Sequence, residues 1–281
     1  MIDSGILLIN DITGYGRVST FAMLPVMAQY GLHPYVLPTA LVSNTTDYGS
    51  CEILDTSEFM KSTIDKWKEF GFSFSNICTG FINSAEQLDI ICNLIESQES
   101  PFVLVDPIMA DAGSLYDGMY PGAVECNRKL ASYADVIVPN LTEAELLADM
   151  YIGQSKLSDA EYLELARAVS DLGVDNVVIS GCDSQDGRSF NLVYTKNEDL
   201  IKKIYFERIV DSFVGTGDVF SACLISELIV GCSLDIAVER AAEFVRKVIL
   251  DNLGCSDRFD LHIEKSLRHI SMDSKDYEDS I

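Results

Sequence analysis

Short unbroken apolar runs alternate along the chain with segments whose apolar residues recur every three or four positions. GILLIN (5–10), NICTG (76–80), FVLVDP (102–107), VIVPN (136–140) and NVVISG (176–181) are too short for helices and predict buried strands, and YVLPTALV (35–42) predicts another extended segment. Helices are expected at 19–30, 55–71, 84–97, near 121–132, at 142–150, 159–173, 218–230 and 235–252. Pro25 should bend the first of these or restrict its start. In the second, Asp55 and Glu58 stand in capping-box order, Met60, Ile64, Trp67 and Phe70 form a stripe, and Gly71 ends it. FNLVYT (190–195) and KKIYFERI (202–209) alternate apolar with polar, as an antiparallel edge pair does. The strand–helix order predicts a mainly parallel sheet with helices on both faces. Residues 1–270 are expected to form one domain and the polar, acidic 271–281 a disordered tail.

Charge and composition narrow the partners. With 20 Lys+Arg against 44 Asp+Glu, the formal charge of -24 repels nucleic acid and anionic membrane. The eight cysteines include no CxxC pair and there are three histidines, which argues against structural zinc. Cys92 and Cys223 lie in apolar runs, as core thiols do, and a reduced cytoplasm is the expected setting. The apolar stretch 219–238 is interrupted by Glu227, Asp235 and serines and reads as a buried helix.

The chemistry-bearing residues sit where the predicted strands stop: Asn10-Asp11, Gly80, Asp106-Pro107, Asn140 and Ser180. In a parallel sheet these ends share one edge, where open α/β folds bind ligands. There is no Walker loop, since the chain lacks a Gly-Lys dipeptide, and GYGRVS (14–19) only approaches a dinucleotide fingerprint. DSFVGTGDVFSA (211–222) puts Gly215 and Gly217 ahead of a helix with Asp218 just inside it. Bare N–H groups at a helix mouth suit an anion, so a carboxylate there is either a helix cap or a base beside a transferring phosphoryl group. The helix terminus is expected to keep Asp218 ionised, hence a weak base.

VGTGDVFSA resembles the signature of the ribokinase-like kinases. Over roughly 1–250 the chain most resembles pyridoxal (vitamin B6) kinases, through YG (15–16), LVSNTTDYG (41–49), TGFINSAEQ (79–87), VDPIMAD (105–111) and VPNLTEAELL (138–147) in the family's order. The resemblance implies a ribokinase-like three-layer α/β/α sandwich, with a mainly parallel central sheet, antiparallel edge strands and no large lid. It implies ATP-dependent phosphorylation of a B6 vitamer's 5'-hydroxymethyl group. Asp218 matches the catalytic base, and Gly215, Thr216 and Gly217 match the anion hole. Asp11, Tyr15, Ser43, Thr46, Asp47 and Phe81 match the vitamer site. Asp106, Asn140, Glu143, Ser180 and the segment Val210, Asp211, Ser212, Phe213, Val214 match the ATP site, with Asp106 and Glu143 near Mg²⁺. A monovalent cation and a homodimer are implied by the same relatives. Three positions depart from the family: Asp11 stands where a serine is common, Phe81 for a tyrosine and Ser180 for a lysine. An acid at 11 beside Asp47 points to pyridoxamine over pyridoxal. A hydroxymethylpyrimidine or sugar kinase of the same fold, or a ribokinase-like nicotinamide-nucleotide-hydrate lyase, is the alternative.

Overall fold

The computed structural model describes residues 5–154, 156–209, 211, 213–255 and 257–270. The expected tail at 271–281 lies outside them. The strands, in chain order, are β1 (Gly5–Thr13), β2 (His33–Val42), β3 (Ile53–Asp55), β4 (Asn76–Thr79), β5 (Phe102–Val105), β6 (Ala110–Asp111), β7 (Ser114–Leu115), β8 (Val136–Ile137), β9 (Asn176–Asp183), β10 (Ser189–Thr195) and β11 (Leu200–Phe206). The helices are α1 (Ser19–Gln29), α2 (Ser57–Phe70), α3 (Ala85–Glu96), α4 (Ala123–Ala131), α5 (Leu141–Ala148), α6 (Asp159–Ser170), α7 (Thr216–Ile229) and α8 (Leu234–Asn252).

Nine strands form one sheet in the order β11-β10-β9-β8-β5-β4-β1-β2-β3. The six central strands, β9 to β2 in that order, run parallel, while β10, β11 and β3 are antiparallel additions at the two sides. The apolar runs are unbroken because both faces of the sheet are covered. Leu7, Ile9, Val103, Val105, Val177 and Ile179 enter one core with α2 to α6, whereas Ile6, Leu8, Leu104 and Val178 enter a second with α1, α7 and α8. Each such side chain contributes about 1.5–3 kcal/mol by burial. Cys92 and Cys223 are buried free thiols in these cores. The antiparallel hairpin of β10 and β11 agrees with the alternating pattern read in the sequence, although only β11 is an edge strand.

Some local expectations fail. The capping box at Asp55 and Glu58 does not form: α2 is capped at Thr56 without a side-chain bond, and Asp55 Oδ1 instead accepts the Ser57 N–H at 2.8 Å from within β3. The stripe of α2 also fades toward its end, where Phe70 is exposed. Gly71, at φ 72°, does end the helix in the left-handed conformation. Among the described residues no helix is long and apolar enough to cross a membrane.

Candidate active site

The carboxyl ends of the parallel strands meet the amino end of α7 along one edge of the sheet, and two cavities flank that helix mouth. One, of about 940 Å³, is lined by Ser180, Arg208, Asp211 and the apolar Val245 and Ile249 of α8. The other, of about 610 Å³, is lined by Asp11, Asp47, Phe81, Asp106, Glu143 and Asp218. Thr216, Gly217, Phe213, Phe220, Asn140 and Ser180 border both, so they connect through the start of α7.

Asp218 is not a cap. The N-cap of α7 is Gly215, with no side-chain cap bond, and Asp218 Oδ2 accepts the backbone N–H of Ser19, a residue of α1, at 2.9 Å. Its Oδ1 is buried and has no hydrogen-bond partner. Ser19 holds a left-handed backbone, φ 51°, that a non-glycine residue adopts only at a cost in free energy. Burial pushes the Asp218 carboxyl up to about 7; the Ser19 N–H and Asn10 side chain oppose this, and the nearby Asp11 charge adds to it. The expectation that the helix terminus keeps this group a weak base is therefore corrected: desolvation outweighs the helix dipole. The consequence is a base poised near neutrality. The acceptor kcat/KM should fall tenfold per pH unit below about 7 and level off above it, because proton abstraction requires the ionised form. A profile flat from pH 5 to 8 would show that this group does not titrate in catalysis.

The two glycines differ. Gly215 has φ 87°, and a Cβ there would lie 2.3 Å from the Arg17 carbonyl oxygen. Gly217 has no positive φ and no atom within 4 Å of its would-be Cβ. A glycine-specific backbone is thus required only at Gly215; at Gly217 the missing side chain keeps the cavity open and its N–H bare. Thr216 Oγ1 donates to Phe213 O at 3.2 Å, which closes the turn.

Asp106 follows β5, is buried, and its Oδ2 accepts the Ser221 hydroxyl at 2.6 Å. Burial raises its carboxyl well above the ordinary range, and Glu143 and Asp218 add to the shift. Glu143 completes a capping box with Asn140 at the start of α5. Its Oε2 accepts Asn140 N–H at 2.9 Å, and its Oε1 accepts Met109 and Ala110 N–H at 3.0 and 3.3 Å. Burial nevertheless raises it to about 7, against the pull of those N–H groups. Both oxygens are thus committed to the backbone, where they anchor the small β6–β7 ribbon over the site. Asn140 Nδ2 to Ala110 O at 2.7 Å and Gly113 N to Thr142 Oγ1 at 3.0 Å complete that anchoring.

The remaining candidates divide. Asp11 and Phe81 line the second cavity, and Asn10 Oδ1 joins them by accepting both Asp11 N and Phe81 N, at 3.0 and 2.9 Å. Asp47 lines it too and takes the Thr45 hydroxyl at 2.5 Å. Tyr15 and Ser43 are not brought to the wall. Tyr15 is exposed and packs edge-on to Tyr48, while Ser43 accepts Glu52 N at 2.9 Å and stiffens its own loop. Asp211 pairs with Arg258 at 2.7 Å, Phe213 is buried between the cavities, and Val214 donates its N–H to Arg258 O at 3.3 Å. Val210, Ser212 and the side chain of Thr46 lie outside the described residues.

Sequence reasoning missed Ser19, Asp111, and the pair Arg258–Phe259, all of which touch or line the site. Phe259 packs edge-on to Tyr48, ring centres 4.9 Å apart, and Tyr48 OH donates to Asp257 Oδ2 at 2.5 Å, so the segment after α8 closes the second cavity against the 43–52 loop. Their only sequence signal is an aromatic and a cation in SDRFD (256–260).

A three-layer α/β/α sandwich with a buried carboxylate in one of two joined cavities at a glycine-lined helix mouth defines a ribokinase-like kinase that phosphorylates an alcohol. The chain belongs to the phosphomethylpyrimidine kinase family, which matches residues 22–260. It is 30% identical to a pyridoxine/pyridoxal/pyridoxamine kinase of Bordetella avium, over 82% of this chain and 79% of that one. It is 26% identical to a hydroxymethylpyrimidine/phosphomethylpyrimidine kinase of Haemophilus influenzae, over 76% and 80%. A candidate phosphomethylpyrimidine kinase of Bacteroides thetaiotaomicron, solved in a form with pyridoxal, superposes with a TM-score of 0.89 at 30% identity, covering 95% of this chain and 97% of that one.

Proposed function

We propose that this kinase transfers the γ-phosphoryl group of ATP to the 5'-hydroxymethyl group of a B6 vitamer, giving the 5'-phosphate and ADP. The observation that carries the mechanism is the buried, unpartnered Oδ1 of Asp218, a residue of the smaller cavity that directly follows the Thr216–Gly217 turn bordering both. The acceptor lies in the smaller cavity and its hydroxyl meets that oxygen. As the hydroxyl oxygen bonds to the γ-phosphorus, its proton passes to Asp218 and the bond from phosphorus to the β,γ-bridging oxygen breaks, leaving ADP. The N–H groups of Thr216 and Gly217, at the positive end of α7, face the charge that builds on the transferring oxygens. Nucleotide binding falls to the larger cavity, where Val245 and Ile249 offer an apolar wall for a base and Asp211, Phe213 and Ser180 lead toward the α7 mouth.

The donor set fits Mg²⁺. Asp106 and Glu143 are hard oxygen donors pushed up first by burial, Asp106 also by the charges of Glu143 and Asp218 and Glu143 also by that of Asp111, an excess of negative charge that a divalent cation relieves. Asp106 is the residue that would hold it, since Glu143 has both oxygens on backbone N–H groups and acts through its charge. Among the described residues no three acidic, histidine or cysteine side chains cluster as a metal cage, so the ion would share its coordination with nucleotide phosphates and water. When bound, Mg²⁺ supplies neutralisation of the phosphate charge. The same reading includes a monovalent cation, a homodimer and a cytoplasmic setting, each supported by resemblance to the family alone.

The relative from Bordetella supports the vitamer; the family description and the relative from Haemophilus favour hydroxymethylpyrimidine as the second reading. An ADP-release screen of the full chain with pyridoxal, pyridoxamine, pyridoxine, hydroxymethylpyrimidine and ribose separates them. Turnover is expected to be highest with a vitamer. Turnover of hydroxymethylpyrimidine or ribose with none of a vitamer would overturn the substrate while leaving the kinase chemistry in place.

A further inference from the structure

The smaller cavity holds more negative charge than proton abstraction requires. Asp11 is 5% exposed, and its Oδ2 accepts the Thr13 hydroxyl at 2.7 Å. Ser19 lines the same cavity, and its N–H binds Asp218 Oδ2 at 2.9 Å. Asp11, Ser19 and Asp218 therefore share one wall, with the Asp11 charge near enough to be felt at the proton-accepting group. Asp47, Asp106 and Asp117 add to the acidic lining. Among the described lining residues the one cation is Arg258, and its guanidinium is tied to Asp211 at 2.7 Å. A buried carboxylate next to a second one is costly to ionise unless a cation accompanies it.

We infer that Asp11 makes the acceptor site charge-selective: it favours a hydroxymethyl heteroaromatic with a positive group on the ring carbon adjacent to the reacting hydroxymethyl, and it excludes an acceptor that already carries a phosphate. This rests on the vitamer reading above. The adjacency follows from the nearness of Asp11 to Asp218 on the same wall. Asp218 has to meet the hydroxymethyl oxygen, so the carboxylate beside it faces the neighbouring ring substituent. In pyridoxamine that substituent is an aminomethyl group, protonated at pH 7 as other primary amines are; in pyridoxine it is a neutral hydroxymethyl. A phosphorylated pyrimidine would bring two more negative charges to a wall with no uncommitted cation among its described residues. The reaction class assigned here is a single phosphorylation of a free alcohol, not the second phosphorylation that the family's name describes.

The test measures kcat and KM by ADP release on the full chain with pyridoxamine, pyridoxine, hydroxymethylpyrimidine and hydroxymethylpyrimidine phosphate, for wild type, Asp11→Asn and Asp11→Ser. Wild type is expected to prefer pyridoxamine to pyridoxine by about tenfold in kcat/KM, carried by KM, the scale of one charge-assisted hydrogen bond. The phosphorylated pyrimidine is expected to give no turnover. Both variants should bring the vitamer ratio close to one. Equal efficiency of the two vitamers in wild type overturns the inference without any variant, so a variant that does not fold leaves the test intact. Turnover of the phosphorylated pyrimidine at the rate of its hydroxymethyl parent overturns it as well. An equal loss toward both vitamers in the variants, with their ratio unchanged, assigns Asp11 to support of Asp218 and likewise overturns it. Vitamer turnover without charge preference sinks this inference alone, whereas absence of turnover with every vitamer sinks the vitamer reading and this inference together.

Discussion

Replacing Asp218 by asparagine is expected to lower kcat by about 10²–10⁴-fold, the range over which a positioned base accelerates proton transfer, with little change in KM for either substrate. Asparagine keeps the shape of the side chain and can still accept the Ser19 N–H, so the α7 mouth and its link to α1 stay as they are. What is lost is the oxygen that takes the proton. Stability should move the other way. The folded-state pKa of Asp218 is raised from 3.8 to about 7, so the folded chain holds this proton more tightly than the unfolded one. The group's stabilising contribution is complete below about 3.8 and is lost as the pH rises through about 7. At pH 8 the wild type carries a buried charge that the amide lacks. Thermal melts at pH 8 should therefore show Asp218→Asn at least as stable as wild type, with the gap closing at pH 5. A helix cap predicts full activity in Asp218→Asn, since asparagine caps as well as aspartate, and a loss of about 1 kcal/mol in Asp218→Ala with activity intact. A fully active Asp218→Asn beside a fully active but destabilised Asp218→Ala would restore the cap.

The architecture was legible because the chemistry that selects it is local. A run such as GILLIN must lie in a sheet covered on both faces, since no surface strand tolerates apolar residues at both parities; Leu7 and Leu8 enter opposite cores as that requires. Elements too short to show a period were not legible. The β6–β7 ribbon has two residues per strand, and it is held by Glu143, Asn140 and Thr142 from α5 more than by its own sequence. The candidate site shows the same division. The strand-end polar residues and the GTGD turn stand out because each is a local anomaly, a polar group or a glycine at the end of an apolar run. Ser19 does not stand out: it lies 199 positions from Asp218 and becomes its partner only when α1 and α7 pack side by side. The same holds for Arg258 and Phe259, which reach the acceptor cavity because the chain turns back across the site after α8. The ionisation of Asp218 was misjudged for a related reason. Sequence shows the helix terminus that would lower its pKa but not the burial, or the Asp11 carboxylate, that raises it.

Gly215→Ala is expected to destabilise the fold by about 1–3 kcal/mol and to lower kcat by about 100-fold, while Gly217→Ala leaves stability within about 0.5 kcal/mol of wild type. The two positions are separated by one residue and differ in what a methyl group would meet. At 215 the backbone is left-handed, φ 87°, and the added Cβ would stand 2.3 Å from the Arg17 carbonyl oxygen, a separation that only a backbone shift can relieve. Either α7 or the 14–18 segment must move. Arg17 lies two residues before Ser19, whose N–H orients Asp218, so a displacement on either side is carried to the base. The chemistry is sensitive because near-attack geometry tolerates little error: a misplacement of about 1 Å can cost 10²-fold in rate. At 217 the helix accepts alanine readily, and the methyl group projects into open space bordering both cavities. Its effect should fall on binding, as a higher KM for ATP, with no loss of melting temperature. Circular-dichroism melts beside steady-state kinetics distinguish the cases. Equal melting temperatures and equal kcat for the two variants would mean that the close approach of α7 to Arg17 does not align the base, because a fold that absorbs the methyl group at 215 without penalty has no rigid contact there to transmit.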